Sequence, residues 1–219
     1  MQGFYIIDKA SGWTSHDVVA KMRGILKERK IGHLGTLDPL ATGVLVVAVG
    51  REATKQIQHF MKLDKEYVVE IELGRTSDTY DSEGKVETTT FNLASLDKKL
   101  IQEALESFWG TSMQMPPAFS AKKINGKKAY ELARAGKPVE LKPVEVTMQG
   151  RDIEVDLPFV RFTLTVSSGT YVRSLVHDVG QKLGCGAIMT KLRRTRVGEW
   201  KLEDSQTLDQ LAEHVDKLI

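Results

Sequence analysis

The segment Gly32-His33-Leu34-Gly35-Thr36-Leu37-Asp38-Pro39-Leu40-Ala41-Thr42-Gly43-Val44-Leu45 sets one carboxylate, Asp38, in a glycine-rich stretch that runs into an apolar one. Glycines at 32, 35 and 43 permit backbone conformations and close approaches that a side chain would block. Pro39 biases Asp38 toward an extended conformation, so the carboxyl is held at a fixed place. Composition leaves two readings open, a glycine-rich turn with a capping aspartate or a loop that presents a reactive acid. It is not a phosphate-binding P-loop, because no Gly-Lys-Ser/Thr closes it. Asp78 and Asp81 sit in an acidic loop where carboxylates form turns more often than metal sites. Cys185, the single cysteine, has no basic neighbour in sequence and reads as a packed small residue. A carboxylate hydrolase would need a second acid at a persuasive spacing, and none is evident.

The elements that must position these groups form a mixed pattern. Residues 4–8 read as a short buried strand, and Thr14 with Asp17 as a capping pair opening a helix with Val18, Val19, Met22, Ile25 and Leu26 on one face. The glycine-rich segment 32–43 precedes an apolar strand at 44–49, and 52–63 is predicted helical. Tyr67, Val69, Ile71 and Leu73 alternate with Glu70 and Glu72, as in a half-buried strand. A helix is expected around 97–108 and a short one near 127–135, then paired strands at 144–156 and 159–167. Thr170 is expected to cap a helix with Val172, Leu175, Val176, Val179 and Leu183 on its core face. A strand near 188–197 and a helix from about 205 follow. Strands and helices without regular βαβ spacing predict an α+β fold, a mixed and mainly antiparallel sheet flanked by helices.

At 219 residues the chain fits one domain, 1–219, carrying an inserted lobe at about 116–146. The formal charge is +2, but the basic residues are grouped. Residues 116–146 hold seven basic and three acidic residues, residues 191–201 five and one, and the first helix adds Lys21, Arg23, Lys27, Arg29 and Lys30. Basic blocks on a near-neutral chain point to a polyanion-binding face. The longest nearly apolar run, 44–49, is far too short to span a bilayer. The start lacks a basic segment followed by an apolar one, and one cysteine fits a reducing compartment, so a cytoplasmic location is expected.

The 32–45 segment resembles the catalytic-loop motif of TruB-type pseudouridine synthases. Asp8-Lys9-Ala10-Ser11-Gly12-Trp13-Thr14-Ser15 is similar to that family's N-terminal motif, with Ala10 in place of the usual proline. Lys65-Glu66-Tyr67 resembles its lysine-x-tyrosine strand, and Pro116-Pro117-Ala118-Phe119-Ser120-Ala121-Lys122-Lys123 the start of its RNA-gripping thumb. Ser168-Gly169-Thr170-Tyr171-Val172-Arg173-Ser174-Leu175, Leu183-Gly184-Cys185-Gly186-Ala187 and Leu192-Arg193-Arg194-Thr195 resemble its later motifs. The likeness runs from about residue 4 to 200. The sequence stops where many bacterial relatives continue into a small RNA-binding PUA domain, and no such domain is evident in it.

The resemblance implies isomerisation of a uridine in the T-loop of tRNA, position 55, after the nucleoside leaves the stack. It makes Asp38 the essential carboxylate and Tyr67 the residue that stacks on the flipped base. His33 would hold the loop in its flipped-out arrangement. Lys9, Tyr171 and Leu192 are expected to line the uridine pocket, and Gly35, Thr36, Lys122, Lys123 and Arg194 to contact RNA. Arg173 sits in a first helical turn, where the dipole disfavours a cation, and is easier to explain if it pairs with a carboxylate, Asp38. The isomerisation is redox-neutral, so neither metal nor organic cofactor is expected. The T-arm of tRNA is the expected partner, with no membrane and no obligatory protein partner. A guide-RNA-dependent relative and a non-catalytic RNA-folding module are the competing expectations.

Overall fold

The computed structural model describes residues 2–120, 122–124 and 126–217. In chain order the first elements are β1 (Gly3–Lys9), α1 (Ser15–Leu26), β2 (Ile31–Leu34), β3 (Thr42–Val49), α2 (Arg51–Lys55) and α3 (Ile57–Phe60). Next come β4 (Lys65–Leu73), β5 (Arg75–Ser77), β6 (Val86–Thr88), α4 (Lys98–Glu106), β7 (Gly110–Gln114), β8 (Lys123–Ile124), β9 (Lys127–Lys128) and α5 (Ala129–Arg134). The chain continues with β10 (Val144–Asp156), β11 (Phe159–Val166), α6 (Val172–Leu183), β12 (Ala187–Val197), β13 (Trp200–Lys201) and α7 (Leu208–Asp216). No helix among the described residues is long and apolar enough to cross a membrane.

Two compact units are present, Met1–Val68 with Lys191–Ile219, and Val69–Thr190. In the first, the strand order is β1-β3-β12-β4, with β2 also on β3 and β13 on β12. β1 and β2 run antiparallel to β3, while β12 pairs parallel to it through Arg193↔Thr42 and Arg194↔Gly43. Strand β3 is buried on both faces, which is why it reads as a continuous apolar run rather than an alternating one. Leu34, Val44, Val46, Ala48, Ala53 and Val197 form a core cluster, flanked by Phe4, Phe60 and Trp200, whose ring centroids lie 5.2–5.6 Å apart. Helix α1 opens with the expected capping box, Thr14 with Asp17, and buries Val18, Val19 and Met22. The region predicted as one helix at 52–63 is two short ones, α2 and α3.

In the second unit the order is β12-β4-β11-β10-β7. The β10–β11 and β10–β7 pairs are antiparallel, and β10–β11 carries a register shift between Arg151 and Glu154. Val160, Phe162, Leu164 and Val166 alternate inward on β11, as expected, and are buried, as are Val172, Leu175, Val176 and Val179 of α6. Glu70 departs from the half-buried pattern predicted for β4. It is 6% exposed, and Arg161 donates to its carboxylate at 2.7 Å, which offsets the cost of burying the charge. Strands β5 and β6 form a small hairpin that the polar sequence at 74–89 did not announce. The architecture is α+β, a mixed, mostly antiparallel sheet with flanking helices.

Candidate active site

In the first unit the glycine-rich segment is partly strand and partly loop. His33 lies on β2, not in a loop as expected, because the edge of β3 is free to pair with Ile31–Leu34. The chain then turns at Gly35, φ +75°, and rejoins the sheet at Gly43, φ +96°. At Gly43 a side chain is excluded outright: its first carbon would lie 2.2 Å from the Arg194 carbonyl oxygen on β12. Between them, the Ala41 N–H donates to the Asp38 carbonyl at 3.1 Å, closing a tight turn with Pro39 at its second position. Aspartate first and proline second are the preferences of such a turn.

The N-terminal segment grips this turn on both sides of Asp38. Ser15 Oγ accepts from the Leu37 N–H at 2.8 Å and donates to the Leu37 carbonyl at 3.1 Å. The Gly12 N–H donates to the Pro39 carbonyl at 2.9 Å, Lys9 Nζ donates to it at 3.2 Å, and Ser11 Oγ donates to the Leu40 carbonyl at 3.3 Å. Lys9 is 1% exposed and also donates to the carbonyls of Ala10 and Trp13. Expected to line a uridine pocket, it instead lends its ammonium to the backbone that carries Asp38. Asp38 itself is half-buried and Thr36 exposed.

Arg194 was expected among the RNA contacts, and the structure corrects this. It is 1% exposed, and its guanidinium donates to the Val44 carbonyl at 2.6 Å and the Gly35 carbonyl at 3.1 Å. Three others of its basic block are also engaged within the protein: Arg193 pairs with Asp8 at 2.8 Å, Arg196 donates to the Gly198 carbonyl, and Lys201 pairs with Glu203. The period of two along β12 carried the signal, since Leu192 and Arg194 share a side and both are buried. The same alternation on β4 buries Lys65 with Tyr67, which are 7% and 8% exposed. Lys65 donates to the carbonyls of Met61 and Leu63, and burial followed by the Arg194 charge pulls its pKa down to about 8 against a smaller opposing pull from Asp64. His33 is also pushed down, by burial first and then by Arg194 and His16, and among the described residues its Nδ1 has no hydrogen-bond partner. The Asp38 loop thus shares a unit with several buried or half-buried basic groups.

In the second unit, helix α6 begins one residue later than expected. Its cap position is Tyr171, not Thr170, whose hydroxyl donates to the Ser167 carbonyl instead. The Tyr171 N–H donates to Gln114 Oε1 at 2.8 Å, and Gln114 Nε2 returns a bond to the Tyr171 carbonyl at 3.0 Å. A buried glutamine at the end of β7 therefore does the work of a cap. Arg173, in the first turn as predicted, is 7% exposed. It donates to the Thr79 carbonyl and the Phe119 carbonyl, each at 3.0 Å, and pairs with Asp81 at 3.3 Å. Asp81 is a turn former, as its place in an acidic loop predicts: its Oδ1 accepts from Thr79 Oγ1 and the Glu83 N–H. The ion pair to Arg173 was missed, since nothing in the local sequence links positions 81 and 173. Lys122 and Lys123 lie where the 116–146 segment enters its β8–β9 hairpin. Among the described residues no cluster of three or more His, Cys, Asp or Glu stands ready to hold a metal ion.

Two family models match the chain: that of the TruB family pseudouridylate synthase N-terminal domain over residues 23–172, and that of the tRNA pseudouridylate synthase B C-terminal domain over 173–217. A tRNA pseudouridine synthase B from Clostridium kluyveri is 45% identical over all of this chain and 75% of its own length. One from Aquifex aeolicus is 44% identical over 96% of this chain and 73% of its own length. Among solved structures, a Cbf5-Nop10-Gar1 complex contains a chain with TM-score 0.74 and 33% identity over 96% of this chain. A chain of an H/ACA RNP bound to a substrate RNA containing 2'-deoxyuridine gives 0.71 and 30%, also over 96%. This chain spans about half the length of those two, 54% and 52%.

Proposed function

This chain belongs to the TruB family of pseudouridylate synthases, enzymes that isomerise uridine to pseudouridine in tRNA, and we propose that Asp38 is the carboxylate through which it does so, on the T-loop uridine at position 55. In the isomerisation the N1–C1′ bond breaks and a C5–C1′ bond forms. The proton leaves C5 and N1 gains one, so atoms and charge balance without any redox partner. A carboxylate that attacks the nucleoside lets that exchange proceed in two easier steps. The supporting observation is the turn at 38–41, pinned by Ser15, Gly12 and Lys9 and buttressed by Arg194, which holds one acid in a fixed place among basic groups.

The remaining roles are carried over from the resemblance of the motifs. Tyr67, buried on the same face of β4 as Lys65, offers its ring to a flipped base, with Leu192, Tyr171 and His33 completing the uridine site. Arg173, which pairs with Asp81, is by the same resemblance the cation proposed to orient Asp38. A base taken out of the stack costs roughly a few kcal/mol. Phosphate contacts from Lys122, Lys123 and the other basic residues of the 116–146 thumb, an insertion in a single catalytic domain, offset that cost and make binding salt-dependent. The tRNA substrate supports a cytoplasmic location.

Replacing Asp38 with Asn and following tritium release from C5-labelled uridine in tRNA tests this. The variant should lose about a thousandfold or more in rate; a variant at the parental rate defeats the assignment. The likeness to H/ACA protein chains favours a second reading, guidance by a separate RNA. Turnover on bare tRNA transcript with no other protein present is expected, and its absence would favour that second reading.

A further inference from the structure

Three consecutive residues of the loop after β5 engage two residues of α6 that lie one helical turn apart. The Thr79 carbonyl accepts from Arg173 Nη1 at 3.0 Å, and the Asp81 carboxylate lies 3.3 Å from the same nitrogen. Between them, the Tyr80 ring stacks on His177, with centroids 4.0 Å apart and planes 16° from parallel. Positions 173 and 177 are four apart, which puts both side chains on one face of the helix. Tyr80 adopts φ +66°, a left-handed conformation that a residue with a side chain rarely takes. The reversal lets carbonyl, ring and carboxylate from successive residues meet one helix face. Such a conformation persists only where its surroundings hold it. On the backbone side, Tyr80 donates to the Ser77 carbonyl at 3.3 Å, and its own carbonyl accepts from the Met189 N–H at 3.0 Å. The stack on His177 fixes its side chain.

We propose that Tyr80 and His177 are positioning residues whose stacked rings hold the 79–81 turn on α6, so that Thr79 and Asp81 keep the Arg173 guanidinium aligned for the reaction. The inference rests on the role given to Arg173 above. Near-parallel rings at 4.0 Å interact through their faces, so an aromatic ring at 177 is what matters, not an imidazole. The sequence showed neither residue as functional, because a tyrosine and a histidine 97 positions apart meet only through the fold.

The test compares His177→Ala, His177→Phe and Tyr80→Gly in single-turnover tritium release, with tRNA affinity measured in parallel. His177→Ala should slow the single-turnover rate about fivefold to tenfold while tRNA affinity stays parental. His177→Phe should restore the parental rate. Tyr80→Gly removes the ring but relieves the left-handed backbone, and should be as slow as His177→Ala. Phenylalanine at 177 as slow as alanine, Tyr80→Gly at the parental rate, His177→Ala at the parental rate, or a loss confined to tRNA affinity each overturns the proposal. Should His177→Ala fail to fold, Tyr80→Phe against Tyr80→Leu makes the same comparison, with only the leucine expected to be slow; equal rates overturn it. Asp38→Asn in the same series tests the reaction assignment separately, since full activity there refutes that assignment whatever the ring variants do.

Discussion

Ser15→Ala should cost far more than a hydroxyl at a helix start ordinarily does. Alanine suits the first turn of α1, so any loss comes from the contact to the loop and not from helix propensity. Ser15 and Leu37 are 1% and 3% exposed, and the hydroxyl serves both the N–H and the carbonyl of Leu37. A buried backbone group that loses its partner costs about 1–3 kcal/mol. Two such groups, each toward the lower part of that range, give about 3 kcal/mol. For a chain of this length that lowers Tm by about 6–12 °C. The same energy bounds the effect on the reaction: if the pin alone kept the Asp38 turn closed, the rate would fall about a hundredfold. Lys9, Gly12 and Ser11 still hold the turn, so the measured drop should lie below that bound while tRNA affinity is kept. Urea unfolding followed by circular dichroism gives the first number and single-turnover tritium release at 20 °C the second. Ser11→Ala is the control, since its 3.3 Å bond to the Leu40 carbonyl is exposed to solvent and should be worth under about 0.5 kcal/mol. If the two alanine variants are equally stable, or if Ser15→Ala reacts at the parental rate, the account of how the turn is held is wrong.

Two further outcomes follow from the same unit. Gly43→Ala should lose more than about 3 kcal/mol, because strain at φ +96° adds to a 2.2 Å clash with backbone that cannot yield; Gly12→Ala, at φ +81° with open space around it, should lose only about 1–2 kcal/mol, and denaturant midpoints that rank the pair the other way would contradict this. The buried Lys65 should tilt the dependence of stability on pH. Its folded pKa, about 8, lies below the unfolded value near 10.5, so the unfolded state binds more protons between them and stability relative to Lys65→Met rises across that window by about 3 kcal/mol. Parallel denaturation curves for the two proteins from pH 8 to 10 check it, and a flat difference removes the argument.

The positions legible from sequence are those where local chemistry and global fold agree. Thr14 and Asp17 announce a helix start that depends only on neighbours, and β11 and α6 show their core faces through simple periods. The Asp38 loop was legible through its glycines and proline, each required by a backbone turn or a close approach. Failures came where a distant group decided the outcome. Thr170 carries a capping side chain, but the helix start is set at Tyr171, whose N–H goes to Gln114, 57 residues earlier. The arginine at 194 belongs to a basic run, yet its alternation with Leu192 along a strand buries it, and composition outweighed period in the expectation. Glu70 alternates outward on β4, but Arg161 on the adjacent strand makes its burial tolerable. Asp81 and Arg173 meet across 92 residues with no local cue.

The brace that Arg194 supplies also fixes when the protein can first become competent. The guanidinium reaches back 150 residues to Val44 and 159 to Gly35. Closing so long a loop is entropically slow. During synthesis at about 5–20 residues per second, some 8–30 s separate the emergence of Asp38's neighbourhood from that of its brace. For that interval a ribosome-bound chain holds the acid in a segment gripped only from its N-terminal side, and a nascent polypeptide arrested before residue 194 should be inert toward tRNA.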